Sequence, residues 1–553
     1  MAPGILYVTM QPKAELPSEQ FEDWYNNEHG PLRLRLSFCT NGYRYRATDL
    51  EDSEKGAHEW MAVYDMDDLE ALNGEEYMKL RGPPVQTQRE TDLRPYLDID
   101  RRSFDFISER KADDYRGPPS SVVVSVKFSL EPGQDPEELT RWYDEEHFGM
   151  LQKVPGWRRS RRFKTSAVDG RSTIEYLALH EYASDNGLGG PAFQAAITTP
   201  WAKKIYDQVI SSRQRRTYAH YYTFGPAPRH ISTVSNWSSP STLTRSFAPT
   251  QATPYSAIES YVTTHDGAKL QYRLEGSPSA SAPVILCVNS ILTHWDIYSP
   301  FTASFLSRNP KYRVLRFLSR GRTSSFGSTT PISLSTLSSD LLTLLDALQI
   351  VSPALAIGVS LGGATILHSA LEHPDRFPVF ISADTNQVSP SSNPKQWADR
   401  IALSESDESG LATSDHERVV GENLAEATVR RWFAPTSYND ATLAGRIADV
   451  KEMVRTNSLA GFKASVKALY EYDMSEAMKG CKAKGMFMVG GEDGVLPGKM
   501  KEMSRALGDG KGGVGVECVV IDGAGHLPMV EREEDVVKAV EEMLASSSAK
   551  AVA

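Results

Sequence analysis

Leu355-Ala356-Ile357-Gly358-Val359-Ser360-Leu361-Gly362-Gly363 is an apolar run that halts at a serine set between glycines, then continues as a helix-forming stretch to Leu371. The G-x-S-x-G spacing over 358–362 predicts a strand, a sharp turn and a helix. Side chains at the two glycine positions would clash in so tight a turn. The turn lifts the Ser360 hydroxyl above the sheet, at the positive end of the helix dipole. The pattern alone is a weak signal. The strand before it and the helix over 363–371 after it make Ser360 a candidate nucleophile rather than a serine in an ordinary glycine-rich turn.

A serine hydroxyl needs a base before it attacks anything. Gly523-Ala524-Gly525-His526-Leu527-Pro528 follows a predicted strand over 516–521 and precedes the final helix, so His526 is the candidate base. An acid between the two in chain order would orient the imidazole. Asp493, in Val489-Gly490-Gly491-Glu492-Asp493-Gly494, is chosen; the side chain of Glu492 should point the other way. Asp384 is the competitor, in the loop Ser382-Ala383-Asp384-Thr385 after the preceding strand, with a loop-capping role as its preferred reading. Developing charge on an oxyanion needs N–H donors. The backbone of Leu361 supplies one, and Ile291 or Leu292 the other, from the loop after 284–288.

Apolar runs at 284–288, 314–318, 354–359 and 486–489 alternate with helical stretches such as 337–348. Such a succession predicts a mostly parallel sheet with helices on both faces. The pattern turns purely helical after Thr385, as a lid over the sheet's C-terminal edge would. The division is thus 256–384 for the first part of the core, 385–475 for the lid and 476–545 for the second part. Residues 226–255, rich in Ser, Thr and Pro without apolar periodicity, have the composition of a linker. The tail Ser546-Ser547-Ser548 is expected to fray.

Upstream lies an internal repeat. Phe21-Glu22-Asp23-Trp24-Tyr25-Asn26-Asn27-Glu28-His29 matches Leu139-Thr140-Arg141-Trp142-Tyr143-Asp144-Glu145-Glu146-His147. Each copy follows an alternating strand (5–10 and 122–128) and precedes a Gly-aromatic-basic strand (42–46 and 156–161). Later strands are expected at 59–64 and 173–180, then 96–106 and 217–224. The order strand-helix-strand-strand-helix-strand is the split βαβ pattern. Two such sheets, at 1–110 and 118–225, can bury their bare faces against each other as an α+β tandem ferredoxin-like barrel. The basic runs Arg33-Leu34-Arg35 and Arg158-Arg159 with Arg161-Arg162 are read as solvated strand and loop faces.

The C-terminal set resembles the α/β-hydrolase superfamily, and within it the 3-oxoadipate enol-lactonases. Asn289-Ser290-Ile291-Leu292 is similar to that family's Asn-Ser-Leu-Gly segment, with Leu292 in place of glycine, and Arg320-Gly321 with Ser324 is similar to its Arg-Gly-x-Gly-x-Ser loop. Trp397-Ala398-Asp399-Arg400-Ile401, Arg431-Trp432-Phe433-Ala434-Pro435 and Gly461-Phe462 resemble lid segments, as does 468–473. The resemblance implies a lactone- or ester-cleaving hydrolase. Asn289, His294, Trp295 and Trp432 are candidate pocket residues, although packing under the lid is an equal reading for His294 and Trp295. The Trp-Tyr-x-x-Glu-His motif of the repeats resembles EthD-like domains of the dimeric α+β barrel superfamily. This implies a hydrophobic ligand pocket with His29 and His147 as candidates; capping of helix carbonyls is the alternative for each.

The net charge of −11 argues against nucleic acid or an anionic membrane as partner. No run approaches the roughly 20 apolar residues of a membrane helix. Met1-Ala2-Pro3-Gly4-Ile5 lacks the layout of a signal peptide, so a cytoplasmic location is expected. Cys39, Cys287, Cys481 and Cys518 are scattered and make no disulfide framework. No metal-ligand spacing or phosphate-binding loop stands out, so neither metal nor cofactor is expected. Three functional readings follow. The first is a serine hydrolase acting on a small hydrophobic or aromatic lactone or ester of secondary metabolism. The second is a carbon–carbon bond hydrolase, or a cyclase or lyase, using the same pocket. The third makes the barrel a binding or assembly module, with a homodimer as one outcome.

Overall fold

Strict alternation in the repeat strands dictates the first of two units, Met1–Pro228 and Arg229–Ala553. The computed structural model describes residues 3–50, 58–233, 236–323, 327–411, 417–508 and 515–548. The first repeat supplies β1 (Gly4–Pro12), β2 (Cys39–Ala47), β3 (Trp60–Met66) and β4 (Leu97–Lys111); the second supplies β5 (Val122–Leu130), β6 (Trp157–Thr165), β7 (Tyr176–Tyr182) and β8 (Ile210–Thr223). All pair antiparallel in a closed barrel, β1-β3-β2-β8-β5-β7-β6-β4. Closure depends on two long strands. β4 runs along β1 through Asp105 and along β6 from Phe104 onward, while β8 runs along β5 and then β2. Period-2 side chains sort the faces. Ile5, Tyr7, Met61, Val63, Phe104, Leu177 and Leu179 fill the lumen. The opposite face of β1 and β3, with Leu6, Val8, Ala62 and Tyr64, packs under the helices against Trp24 and Tyr25.

In both repeats the motif forms a π-helical turn, Tyr25–His29 after the helix Ser18–Trp24 and Tyr143–His147 after the helix Pro136–Trp142. Such a turn offsets the helix surface by one residue. It sets each motif tyrosine over a buried arginine: Arg44 lies 4.9 Å from the Tyr25 ring and Arg162 lies 4.4 Å from the Tyr143 ring. The basic runs are therefore not solvated faces as their composition suggested. Arg33, Arg159, Arg161 and Arg162 are all buried. Arg159 pairs with Glu181, its register partner on the neighbouring β7, at 2.7 Å, and Arg161 pairs at 2.6 Å with Asp65 of β3, a strand that is not its neighbour in the barrel.

The second unit carries ten strands: β9 (Trp237–Ser239), β10 (Thr244–Phe247), β11 (Ser256–Thr263), β12 (Lys269–Gly276), β13 (Val284–Val288), β14 (Arg313–Phe317), β15 (Leu355–Val359), β16 (Val379–Ala383), β17 (Lys484–Gly490) and β18 (Cys518–Ile521). Their order is β18-β17-β16-β15-β13-β14-β12-β11-β10-β9. The six from β13 to β18 are parallel and the rest antiparallel. Helices Asn393–Glu405, Glu422–Trp432, Ala444–Arg455 and Leu459–Ser465 fall between β16 and β17. Among the described residues, no helix is long and apolar enough to cross a membrane.

Two expectations change. The stretch expected to be linker contributes β9 and β10 to the sheet edge. Their inward positions are hydroxyls, not hydrocarbons: Ser239, Thr242, Thr244 and Ser246 are buried, and Thr244 Oγ1 lies 2.8 Å from Ser260 Oγ. A polar seam of this kind has no apolar period to detect. The serine tail does not fray either; it completes the helix Glu533–Ser548, where the Ser546 and Ser547 hydroxyls donate to the Met543 carbonyl at 2.9 and 2.7 Å.

The motif residue Glu28 gives the barrel a pH response. It is buried, accepts from the Thr87 hydroxyl, and stands 3.9 Å from Arg89. Burial outweighs these contacts, and Glu90 and Asp23 add repulsion, so its carboxyl is pushed up to about 7. A carboxyl raised by folding stabilises below its unfolded value and loses that contribution as pH rises through the folded value. Glu28 alone therefore withdraws stability, on the order of a few kcal/mol, as pH rises from about 4.5 to about 7, against the opposite contribution of the buried neutral His29, His147 and His180. In urea denaturation Glu28→Gln, isosteric with the neutral acid, should become progressively more stable than wild type over that range; a difference that does not change with pH would refute the assignment.

Candidate active site

Ser360 sits at the end of β15 with φ 59° and ψ −118°, a strained conformation for a side-chain-bearing residue. The turn closes only on glycine. A Cβ at position 358 would lie 2.2 Å from the Gly362 carbonyl oxygen, and one at 362 would lie 2.3 Å from that of Val288. The second clash shows how closely the loop after β13 packs on the elbow. That loop brings the Val288 and Asn289 carbonyls against the first turn of the helix Leu361–Glu372, whose first N–H groups have no intrahelical acceptor. Leu292 adopts φ 65° where the resemblance has glycine, so the backbone keeps a left-handed shape that glycine would adopt more easily. Asn289, expected near substrate, turns its amide inward instead: Nδ2 donates to the carbonyls of Thr293 at 3.0 Å and Ser290 at 3.3 Å. It braces the loop.

Four neighbouring parallel strands, β15 to β18, end at one edge and deliver Ser360, Asp384, Asp493 and His526 in turn. His526 Nδ1 is 2.7 Å from Asp493 Oδ2, both side chains being nearly buried. Burial opposes ionisation of Asp493, but the His526 charge and hydrogen bond, with help from Asp384 and Arg431, hold it below the ordinary carboxylate range. An ionised Asp493 can only accept, so Nδ1 carries the proton and Nε2 remains the basic atom. Trp432 frames the imidazole from the lid. Its ring stacks at 5.5 Å and 28°, and its carbonyl accepts the His526 N–H at 2.6 Å.

Glu531, absent from the residues singled out above, ties these parts together. Its buried carboxylate accepts the N–H of Gly525 at 2.7 Å, the N–H of Ala434 at 2.9 Å and the Ser437 hydroxyl at 2.6 Å. One side chain thus fixes the histidine loop to the lid. Its only sequence mark is its place five residues after His526 in an otherwise apolar turn. Among the described residues, one group of His, Cys, Asp or Glu is close enough to share a metal ion, namely Asp384, Asp493 and His526, whose donor atoms lie within 4.8 Å of one another.

The remaining candidates lie elsewhere. His294 pairs with Asp296 at 2.9 Å and lines a groove with Ile297, Arg446 and Met453. Trp295 is buried and faces a second groove with Tyr255, Arg273 and Glu275. Neither groove is lined by Ser360, Asp493 or His526. In the barrel, His29 pairs with Glu90 at 3.4 Å, and burial lowers its imidazole to about 4. His147 stacks on Trp142 at 4.1 Å, bonds the Ala196 carbonyl at 3.2 Å, and is lowered by burial to about 3. Ser324 lies outside the described residues.

The profile of the alpha/beta hydrolase family matches residues 285–539. Over 216 residues the chain is 26% identical to 3-oxoadipate enol-lactonase 2 of Acinetobacter baylyi, covering 39% of this chain and 73% of that protein. Similar solved structures include a hydrolase from Pseudomonas aeruginosa, at 27% identity and a TM-score of 0.44, covering 52% of this chain and 98% of that one. The enol-lactonase from Burkholderia xenovorans is similar at 24% identity and a TM-score of 0.44, covering 52% and 99%. The C-terminal region of this chain is an α/β-hydrolase.

Proposed function

We propose that the C-terminal unit is a serine hydrolase that opens a lactone or ester of a cyclic or aromatic secondary metabolite. The observation that carries this is the 2.7 Å contact between His526 and Asp493, at the sheet edge where Ser360 holds its strained turn. Ser360 Oγ attacks the carbonyl carbon while His526 Nε2 takes its proton, and Asp493 holds and charge-balances the imidazolium. The N–H groups of Leu361 and Ile291 receive the oxyanion. The imidazolium returns its proton to the leaving alkoxide or enolate, and water releases the acyl group by the same relay. The similarity to an enol-lactonase supports a lactone, since ring opening leaves both products on one molecule.

Ser360→Ala should lower kcat by about a million-fold, the order seen when a triad nucleophile is removed, and should abolish labelling by a fluorophosphonate. An unchanged rate on a lactone and ester panel would sink the assignment. Oxygen-18 water separates the rival chemistry: hydrolysis places the label in a carboxylate, whereas a cyclase or lyase leaves product unlabelled.

We infer that the N-terminal unit is a tandem EthD-like, ferredoxin-like barrel whose second repeat binds a small hydrophobic molecule. In support, a cavity of about 350 Å³ lies there, lined by Trp142, Tyr143, His147, His180, Phe193 and Tyr206. The matching space in the first repeat is about 100 Å³, because Tyr64 replaces His180 at that register and its hydroxyl meets that of Tyr25 at 3.3 Å. A naphthol titration should quench Trp142 fluorescence, and His180→Tyr should weaken binding at least about tenfold, the effect of roughly 1.4 kcal/mol. Equal affinity in the variant would refute the site.

A further inference from the structure

Asp384 has no part in the proton relay above, yet it lies at its centre. The residue follows β16, the strand between those that deliver Ser360 and Asp493. It is buried, 1% exposed. Its Oδ1 accepts the N–H of Gly490 at 2.9 Å, whereas no described group donates to its Oδ2. One carboxyl oxygen of Asp384, one of Asp493 and a ring nitrogen of His526 lie within 4.8 Å of one another. The backbone is bent to put the carboxyl there. Asp384 has φ 45°, one of five non-glycine residues with positive φ among the described residues, and its own N–H donates to the Met488 carbonyl at 3.0 Å. A capping side chain needs no such conformation. Strain at a site edge marks a group held for a purpose.

Charge and hydrogen bonding then restrict what Asp384 is. Two ionised carboxylates in contact repel strongly in a buried site, and one imidazolium cannot balance both. An ionised carboxylate is also purely an acceptor, so ionising both would leave the buried Asp384 Oδ2 with no donor while a carboxylate stands beside it. A single proton on Asp384 removes both penalties. We propose that Asp384 is a positioning residue held as a neutral carboxylic acid, whose O–H donates to Asp493 and so fixes and tempers the carboxylate that orients His526.

Other groups around the pair act in the same sense. Burial, the Asp493 charge and the more distant Glu531 all favour the neutral form of Asp384, against the single N–H of Gly490. Tyr298 and Cys518 also feel the Asp384 charge, and both are raised mainly by burial, so neither supplies a cation; the positive groups, His526 and Arg431, act on Asp493. The arrangement resembles no relay of protons: the Asp384 proton stays in place through turnover, and only its hydrogen bond matters.

This inference rests on the Ser360–His526–Asp493 reading, and its tests separate the two. Asp384→Asn retains both contacts, since the amide oxygen accepts from Gly490 and the amide N–H donates to Asp493. Asp384→Leu retains the volume and removes the donor. Losing the donor leaves more negative charge against His526, which then stays protonated to higher pH. The acid limb of kcat/KM should therefore coincide with wild type in Asp384→Asn and rise by about one pH unit in Asp384→Leu, the size of shift one hydrogen bond produces. If Asp384 were ionised, Asp384→Asn would remove a charge and move the limb down; that result, or a loss in Asp384→Asn as deep as in Ser360→Ala, overturns the proposal. A second measurement needs no activity. The infrared difference spectrum of wild type minus Asp384→Asn at pH 7 should show the C=O band of a protonated carboxyl that shifts in D2O. Absence of that band overturns the proposal even if Ser360 proves to be the nucleophile, and its presence stands even if it does not.

Discussion

The hydrolase unit depends on one close approach. The elbow at Ser360 and the loop after β13 are so near that a single methyl group at position 362 would overlap the Val288 and Asn289 carbonyl oxygens. This contact sets the candidate nucleophile Ser360 and the helix N-terminus close against that loop. It also explains where the backbone is strained. Ser360, Leu292 and Asp384 all hold positive φ at the same sheet edge. Conformations of that kind cost of order 1–3 kcal/mol each and persist only where the surroundings over-determine them. The surroundings here are β13, β15, β16 and β17, whose side chains are almost wholly buried.

Much of this was legible because glycine and apolar period are local signals. Gly358 and Gly362 announce the turn, and the runs over 284–288 and 355–359 have the continuous hydrophobicity of strands covered on both faces. The doubled Trp-Tyr-x-x-Glu-His motif announced the repeat. Illegible features were of another kind. Thr244 and Ser260 build a strand contact from hydroxyls, so composition alone suggested a linker. Arg161 and Asp65, 96 residues apart, bury each other only once the barrel closes. Glu531 matters through three donors from separate segments, a convergence no window of sequence contains. Asn289 marks the loop by its residue type, but that its amide serves its own backbone appears only in the folded loop.

Buried polar groups do two kinds of work. In the barrel they are mostly paired cations and carboxylates such as Arg159 with Glu181, together with arginines laid over aromatic rings. The hydrolase unit has such pairs too, as in Arg320 with Asp340, and adds acceptors of backbone N–H groups, as in Glu531 and Asp384. The first kind specifies which strand lies beside which. The second fixes loops that carry the candidate triad, and it does so with hydrogen bonds to an acceptor that are lost entirely if the side chain is shortened.

The long strands β4 and β8 have one more consequence. Each belongs to both halves of the barrel, so the two repeats share their sheet and present no open edge where a second copy could add. In a barrel assembled from two identical chains, every substitution would fall twice, and a change that filled one cavity would fill both. Within a single chain the halves can differ. Tyr64 can seal one side while His180 leaves the other hollow, with no loss of the shared wall. One shared wall thus carries two unlike sides, one narrow and one hollow.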